Sequence, residues 1–294
     1  MPTTNRPRVV LAEERHHSRG RRLVTRLAVV LVAAAVVVAG VLGGKGLTRN
    51  FGGPRCQATA LGQSVTFDPS QTAYAATIGA VAEKRGLPAR AATIAIATAI
   101  QESKLRNLNY GDRDSVGLFQ QRPSQGWGTR EQLLDPVFAS NAFYDALVKV
   151  KGYESMRITE IAQKVQKSAY PEAYAEHEQE GRLLASTLSG HSPGGLGCRL
   201  NDASKADSAA FRTALGEELG ARATVSGRRA TVQATNERQA WSAGAYAVAK
   251  ANLYGATRVR VGDQEWTRTR DVDGWTWRRV SGSLPATTVV VSFA

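Results

Sequence analysis

Two short motifs, fifteen residues apart, carry the residue types best suited to chemistry. Gln101-Glu102-Ser103 ends a long run of small and apolar residues, and Gly117-Leu118-Phe119-Gln120 follows in a loop-rich stretch. At the C-terminal end of a buried helix, the helix dipole and the loss of solvent both disfavour an ionised carboxylate. A Glu102 kept protonated near neutral pH is a general acid suited to a glycosidic oxygen. The alternative, from this motif alone, is a surface glutamate in a last helical turn.

The order of the motifs resembles a known enzyme superfamily. Glu102-Ser103, the tetrapeptide at 117–120 and, about fifty residues later, Ala169-Tyr170 follow the pattern of soluble lytic transglycosylases and goose-type lysozyme-like proteins. Asp135-Pro136 also matches the entry into that superfamily's next helix. The resemblance covers residues 70–188, which is under half of the chain.

The resemblance implies one catalytic residue and a set of sugar-binding residues. Glu102 is expected to protonate the bond between N-acetylmuramic acid and N-acetylglucosamine, and then to accept the proton of the muramyl 6-hydroxyl, giving a 1,6-anhydro product. Tyr170 is expected to hold the Glu102 carboxyl, and Gln120 to hydrogen-bond an N-acetyl or hydroxyl group. The substrate-binding residues implied in this way are Ser103, Gly117, Phe119, Gln120 and Tyr170.

The chain departs from the superfamily at two of these places. Phe119 stands where methionine is usual, and Pro171-Glu172-Ala173 stands where Asn-Ala-Gly usually follows the tyrosine. The first change is conservative, whereas the second alters the segment that would close the site.

The loop between the two motifs adds further candidates. Tyr110 and Trp127 are expected to stack on sugar rings, with packing inside the loop as the alternative. Asp112 and Asp114 also lie there, and a hydrolase would place one of them across the cleft from Glu102. One-carboxylate chemistry needs neither, so the sequence leaves hydrolysis and transglycosylation open.

The elements that must hold these motifs are predicted to be helices. Asp68-Pro69 and Asp135-Pro136 each combine a capping residue with proline at the first helical position, and Pro88 starts the central apolar helix. These signals predict an all-α lysozyme-like domain over residues 68–190.

The N-terminal segment predicts the compartment. Residues 1–26 hold seven arginines against two glutamates, and residues 27–44 are eighteen consecutive uncharged residues. As a helix that run is about 27 Å long, near the lower limit for a bilayer. With the positive-inside rule it predicts a single-pass signal anchor in the cell membrane, with the N-terminus cytoplasmic and the domains beyond linker 45–67 extracytoplasmic. A cleaved signal peptide is the main alternative, and a buried globular helix is a weaker one.

Charge and cysteine content fit an exported chain. Residues 1–26 supply +5 of the net charge of +13, which favours the anionic inner leaflet, and the remaining +8 favours an anionic cell wall. Nucleic acid is a partner that an exported protein rarely meets. Cys56 and Cys198 are predicted to form a disulfide, with two free thiols as the alternative. Four histidines and two cysteines are too few and too scattered for a zinc site, so neither metal nor cofactor is expected.

Composition changes after residue 190. Residues 191–205 are predicted to be a linker, and residues 206–294 a small α+β domain of unknown role. Asp273-Gly274 predicts a tight hairpin turn. The alternation of Trp and Arg at 275–279 indicates the buried and solvated sides of one strand, with a glycan- or nucleic-acid-binding face as the alternative.

The leading interpretation is therefore a membrane-anchored enzyme, of muramidase or lytic transglycosylase type, that cleaves peptidoglycan glycan strands during cell-wall remodelling. One alternative is a non-catalytic peptidoglycan-binding protein with a lysozyme-like fold. Another is an envelope scaffold that binds a protein partner through residues 206–294.

Overall fold

Residues 53–166, 171–282 and 284–294 are described by a computed structural model of the chain, and residues 53–294 belong to one compact unit. The α-helices are α1 (Pro69–Lys84), α2 (Ala89–Ser103), α3 (Arg130–Leu133), α4 (Pro136–Leu147), α5 (Ile158–Gln166), α6 (Glu178–Leu188), α7 (Ser208–Glu218), α8 (Glu237–Ala249) and α9 (Ala251–Tyr254). The 3-10 helices are Pro123–Gln125, Pro171–His177 and Val272–Trp275. The strands are β1 (Arg55–Ala60), β2 (Gln63–Phe67), β3 (Leu196–Arg199), β4 (Ala223–Ser226), β5 (Arg229–Gln233), β6 (Ala256–Val261), β7 (Gln264–Thr267), β8 (Arg278–Arg279) and β9 (Thr288–Phe293).

The predicted fold class, an all-α lysozyme-like domain followed by a small α+β domain, is wrong. Two antiparallel sheets are present, and the first, in the order β2-β1-β3, flanks the helices of the N-terminal half. β1 and β2 lie in the predicted linker 45–67, and β3 lies in the predicted linker 191–205. The pairing of β1 with β3 joins segments that are far apart in sequence, so no local pattern reveals it.

The predicted membrane helix at 27–44 lies outside the described residues. Among the helices that the structure describes, none is long and apolar enough to cross a membrane.

The predicted disulfide is confirmed. Cys56 and Cys198 face each other in the antiparallel register of β1 and β3, and their sulfur atoms are bonded. Both side chains are buried, so the bond lies under the sheet rather than on its surface. It ties the start of the compact unit to the end of its helical half.

Helix α2 is the central helix of the first half. Every residue from 91 to 100 is buried, because alanine, isoleucine and threonine on all sides let other helices pack around it. On α6, a Cβ at Gly181 would lie 2.7 Å from the carbonyl oxygen of Thr93, so glycine allows the two helix backbones to approach closely. The result is a buried rod whose C-terminal end reaches the candidate site.

The second sheet has six antiparallel strands in the order β4-β5-β9-β6-β7-β8. The predicted tight turn at Asp273-Gly274 is wrong, since both residues lie in the 3-10 helix Val272–Trp275. Trp277 packs against Trp241 with ring centroids 5.0 Å apart, whereas Arg278 is exposed. The interpretation of the Trp/Arg alternation as two sides of one strand is wrong, because Trp275 lies in the 3-10 helix and β8 contains only Arg278 and Arg279, which are both exposed.

Two polar contacts join the helical half to the second sheet and its helices. Arg238 on α8 donates two hydrogen bonds to Glu83 on α1, at 3.0 and 2.6 Å. Buried Lys250 donates to Thr77 on α1 at 2.7 Å and to Glu218 at 3.0 Å. A paired charge in such a dry place is strongly destabilised when its partner is removed, so these contacts fix the two halves to each other.

Candidate active site

Helix α2 ends abruptly just after Glu102. Lys104 and Leu105 both adopt left-handed backbone, each with φ of 54°. The N–H of Leu105 donates to the carbonyl of Ala99 at 3.0 Å, which closes the last turn, and the Leu105 side chain is fully buried. Left-handed backbone costs roughly 1–2 kcal/mol for a residue other than glycine, so the burial of Leu105 must offset strain here.

The Glu102 carboxyl is half-buried and held by two side chains from other elements. Its Oε1 accepts a hydrogen bond from the Tyr174 hydroxyl and a long one, 3.5 Å, from Nε2 of Gln166. Burial raises the pKa of the Glu102 carboxyl above its ordinary value, and the bonds from Tyr174 and Gln166 offset part of that rise. Desolvation is the larger effect, so the side chain favours its protonated form more than an exposed glutamate does.

Tyr174 makes the contact to the Glu102 carboxyl that the sequence predicts for Tyr170. The predicted Tyr170 lies outside the described residues, whereas Tyr174, in the 3-10 helix Pro171–His177, is buried and reaches Glu102. Its ring belongs to a small apolar cluster with Ala97 of α2 and with Ile158 and Ala162 of α5. The available signal was the repeat of the Ala-Tyr pair four residues later in the sequence.

Gln166 is a second residue that the sequence did not single out. It is the last residue of α5, and its Nε2 donates to the carbonyl of Phe119 at 2.8 Å as well as reaching Glu102. One side-chain amide therefore connects the carboxyl to the backbone of the glycine-containing loop.

Ser103 connects the same two motifs from the helix side. Its hydroxyl lies 2.7 Å from the carbonyl of Leu118 and 3.0 Å from that of Ala99, and it accepts the N–H of Arg106 at 3.2 Å. Because Ser103 is buried, its bonds within the protein give it a role in positioning the loop beside Glu102.

The loop at 117–120 is shaped by backbone that requires glycine. Gly117 has φ of 79°, and a Cβ there would lie 2.3 Å from the carbonyl oxygen of Leu133. Phe119 is fully buried and stacks on Phe143 with ring centroids 4.7 Å apart, so its side chain anchors the loop in the core. Only its backbone is turned to the site, where the carbonyl meets Gln166.

The remaining sugar-binding candidates differ in how accessible they are. Gln120 folds back on its loop, and its amide donates to the carbonyls of Gly117, at 3.1 Å, and Tyr110, at 3.3 Å. The Tyr110 residue is 68% exposed, whereas Trp127 is half-buried against the core. Of the two aromatic candidates, Tyr110 is the one with a face available for stacking.

Asp114 is engaged in holding the loop together. Its carboxylate accepts the backbone N–H of Ser124 at 2.7 Å, the Ser124 hydroxyl at 3.0 Å and Nε of Arg122 at 2.9 Å. The hydrogen bonds from Ser124 and Arg122 hold the pKa of the Asp114 carboxyl well below its ordinary range. Asp114 is therefore ionised, and its carboxylate oxygens already accept hydrogen bonds from Arg122 and Ser124, while Asp112 is exposed.

The arrangement is chemically that of one acid with a support network. A half-buried carboxyl that favours its protonated form can donate a proton, and two neighbouring donors can stabilise the carboxylate that remains. Among the described residues there is no group of three His, Cys, Asp or Glu side chains able to hold a metal ion.

No protein-family model matches the chain, and no curated protein matches its sequence.

Proposed function

We propose that this chain is a membrane-anchored enzyme, of muramidase or lytic transglycosylase type, that cleaves the MurNAc–GlcNAc bond of peptidoglycan. The observation that carries the proposal is the Glu102 carboxyl, half-buried at the end of α2 and hydrogen-bonded by Tyr174 and Gln166. It lies beside a glycine-shaped loop to which Ser103 and Gln166 connect it.

The chemistry follows from that single carboxyl. Protonated Glu102 donates its proton to the glycosidic oxygen as the bond from that oxygen to the muramyl C1 breaks. Tyr174 and Gln166 stabilise the carboxylate formed in this step. The Glu102 carboxylate then accepts the proton of the muramyl 6-hydroxyl while the oxygen of that hydroxyl bonds to C1. This step closes the 1,6-anhydro ring and returns Glu102 to its acid form.

An anhydro product is favoured over hydrolysis by the state of the nearby acids. A hydrolase uses a second carboxylate as base or nucleophile. The Asp114 carboxylate is bonded to Arg122 and Ser124 instead, and its low pKa makes it a weak base. We therefore assign the whole proton cycle to Glu102. The exposed Asp112 is the remaining candidate for a second carboxylate, and the product analysis below tests it.

The proposed location rests on the sequence. Residues 27–44 would anchor the chain in the cell membrane and place the compact unit outside the cell. Residues 1–26 supply +5 of the net charge of +13, and the +8 carried by the rest of the chain is complementary to an anionic wall.

The test is digestion of purified sacculi by the detergent-solubilised full chain, with mass spectrometry of the released fragments. We expect anhydro-muropeptides from the unmodified chain and none from Glu102→Gln. Glu176→Gln, an exposed change on the 3-10 helix that carries Tyr174, is the matched control and should remain active. Reducing ends in place of anhydro ends would indicate a hydrolase, and binding without any product would identify a non-catalytic wall-binding protein.

A further inference from the structure

The six-stranded sheet is covered on one face only. Helices α7 and α8 pack on the side that carries its buried apolar residues, and Phe211 of α7 meets Phe293 of β9 there. On the other side, Val290 and Thr231 are only half-buried although they lie on central strands. An antiparallel sheet commonly leaves one face to solvent, and this open face is rich in arginine.

The strand register brings two arginines together on the open face. Ser292 on β9 lies directly opposite Arg229 on β5 and opposite Arg258 on β6. Directly paired residues point to the same side of a sheet, so all three side chains share the open face. Arg229 and Arg258 are two strand spacings apart, about 10 Å between their Cα atoms. Arg260, two residues further along β6, lies on the same side.

Arg229 and Arg258 are not neutralised, whereas Arg260 lies directly opposite Glu265 of β7 on the same face. Within the part of the chain that the structure describes, neither Arg229 nor Arg258 has an ion-pair partner, and both are exposed. The Arg260 guanidinium bonds only to backbone carbonyls, those of Gly262 and Ser281, each at 3.3 Å. By contrast, Arg278 at the sheet edge is paired with Asp273.

A groove of about 550 Å³ opens beside Arg258, the one arginine of this row that lines it. Arg258, Ser292 and Thr267, which are cross-strand neighbours, contribute to its lining. Asp202 also lines it, but its carboxylate is paired with Arg270 at 3.3 Å. The groove therefore offers hydroxyl groups and guanidinium groups side by side, together with the carboxylate of Asp202.

We propose that this open face binds the peptidoglycan strand itself, with Arg229 and Arg258 pairing with the carboxylates of its peptide stems. The inference rests on the proposed function for the choice of polymer. Guanidinium groups match carboxylate geometry, and the serine and threonine hydroxyls suit a hydroxyl-rich chain. Two un-neutralised arginines about 10 Å apart fit a sparsely charged polymer better than nucleic acid, which carries a charge every ~1.7 Å of duplex.

The test measures binding separately from cleavage. The full chain carrying Glu102→Gln is co-sedimented with sacculi that hydrofluoric acid has stripped of phosphate polymers. Replacing Arg229 and Arg258 together by glutamine should weaken binding about tenfold at low salt. The matched control is Arg212→Gln with Arg222→Gln, which removes the same charge from exposed positions on α7 and before β4 and should change binding less than twofold.

A second arm tests the carboxylates directly. Sacculi whose carboxyl groups have been blocked by carbodiimide-coupled glycinamide should lose binding to the parent chain as fully as the Arg229/Arg258 double variant does.

Three results would overturn the proposal: equal weakening by the two double variants, full binding to blocked sacculi, or binding that requires the phosphate polymers. If the Arg229/Arg258 double variant lost more affinity for duplex DNA than for sacculi, the face would be assigned to nucleic acid instead. If the unmodified chain releases no product while the arginine effect persists, then the enzyme proposal fails and the binding proposal stands.

Discussion

The hydroxyl of Tyr174 makes a quantitative prediction about the pH dependence of cleavage. Its hydrogen bond to Glu102 stabilises the carboxylate, so Tyr174→Phe should raise the pKa of Glu102 further above its ordinary value. A hydrogen bond to a charged group contributes about 1.5–3 kcal/mol, and a half-buried site should lie near the lower end of that range. At ~1.36 kcal/mol per tenfold change in proton affinity, the change is worth about one pH unit.

The assay is the initial rate of anhydro-muropeptide release from sacculi across the pH range. Because Glu102 must begin the cycle protonated, its deprotonation sets the alkaline limb of the profile. In Tyr174→Phe that limb should move up by about one pH unit. The maximal rate should also fall, roughly tenfold, because the carboxyl loses one of the two groups that orient it.

Loss of stability alone must be separated from this effect. Tyr144→Phe is the control, since the Tyr144 hydroxyl is equally buried but donates to the carbonyl of Ile78 at 2.9 Å. The thermal midpoint of Tyr144→Phe should fall, while the alkaline limb of its pH–rate profile should stay at the same pH as in the unmodified chain. An alkaline limb in Tyr174→Phe that stays in place or moves down would refute the assignment of Tyr174 as the partner of a catalytic Glu102.

Three further predictions concern stability. The pKa of Glu102 is raised in the folded state, so just above pH 4.5 the folded state binds more protons than the unfolded chain, and it loses stability as the pH rises. Glu102→Gln removes this loss and should raise the thermal midpoint at pH 7 by a few degrees. The gain should shrink as the pH falls toward 4.5. Gly117→Ala places a Cβ 2.3 Å from a carbonyl oxygen of α3, so it should lower both the thermal midpoint and the cleavage rate. Gly86→Ala is the control: its φ is also positive, at 66°, but the space around it is open, so it should lower the free energy of unfolding in urea by only about 1 kcal/mol. Reducing the Cys56–Cys198 disulfide frees a long loop in the unfolded chain, so it should lower the free energy of unfolding by about 4 kcal/mol in the same titration.

Helix starts are the part of the fold that the sequence predicts well. The capping residue with proline after it locates the beginnings of α1 at Pro69 and α4 at Pro136, and Pro88 locates that of α2 at Ala89. These signals are local, because each involves a few consecutive residues and the orphan N–H groups of one helical turn. The confirmed disulfide, too, needed only composition and compartment.

The first sheet was missed for the opposite reason. β3 is short, and its partner strand, β1, lies on the far side of the helical half, so β3 has no neighbour in sequence that would mark it. β1 and β2 do form a local hairpin across Leu61 and Gly62, but Leu-Gly is not one of the usual turn pairs. Segments 55–60 and 196–199 also lie next to glycine-rich stretches, which resemble linkers when considered alone. Non-local pairing is what local patterning does not encode.

The residues of the candidate site also fall into two groups, those that a local sequence motif marks and those that come from distant elements. Glu102 and Gly117 were found because the helix end and the loop are contiguous motifs, and Ser103 bonding to the Leu118 carbonyl shows why the two must occur at that spacing. The partners of the carboxyl come from α5 and the 3-10 helix after it, more than sixty residues away, where the sequence suggested Tyr170 and nothing at Gln166.

The origin of these partners on other elements affects how the pKa of Glu102 is set. If the groups that tune Glu102 lay on α2 itself, they would be fixed by the helix and would share its solvent exposure. Because Tyr174 and Gln166 arrive from elsewhere, packing of Tyr174 against Ala97 and α5 removes water from the carboxyl in the same step that supplies its hydrogen bonds. Any change that loosens this packing, such as Ile158→Ala, should therefore lower the pKa of Glu102 toward its ordinary value by readmitting water, while Tyr174→Phe raises it. Opposite movements of the alkaline limb in these two variants would show that burial and hydrogen bonding act on the same group; movement in one direction by both would contradict it.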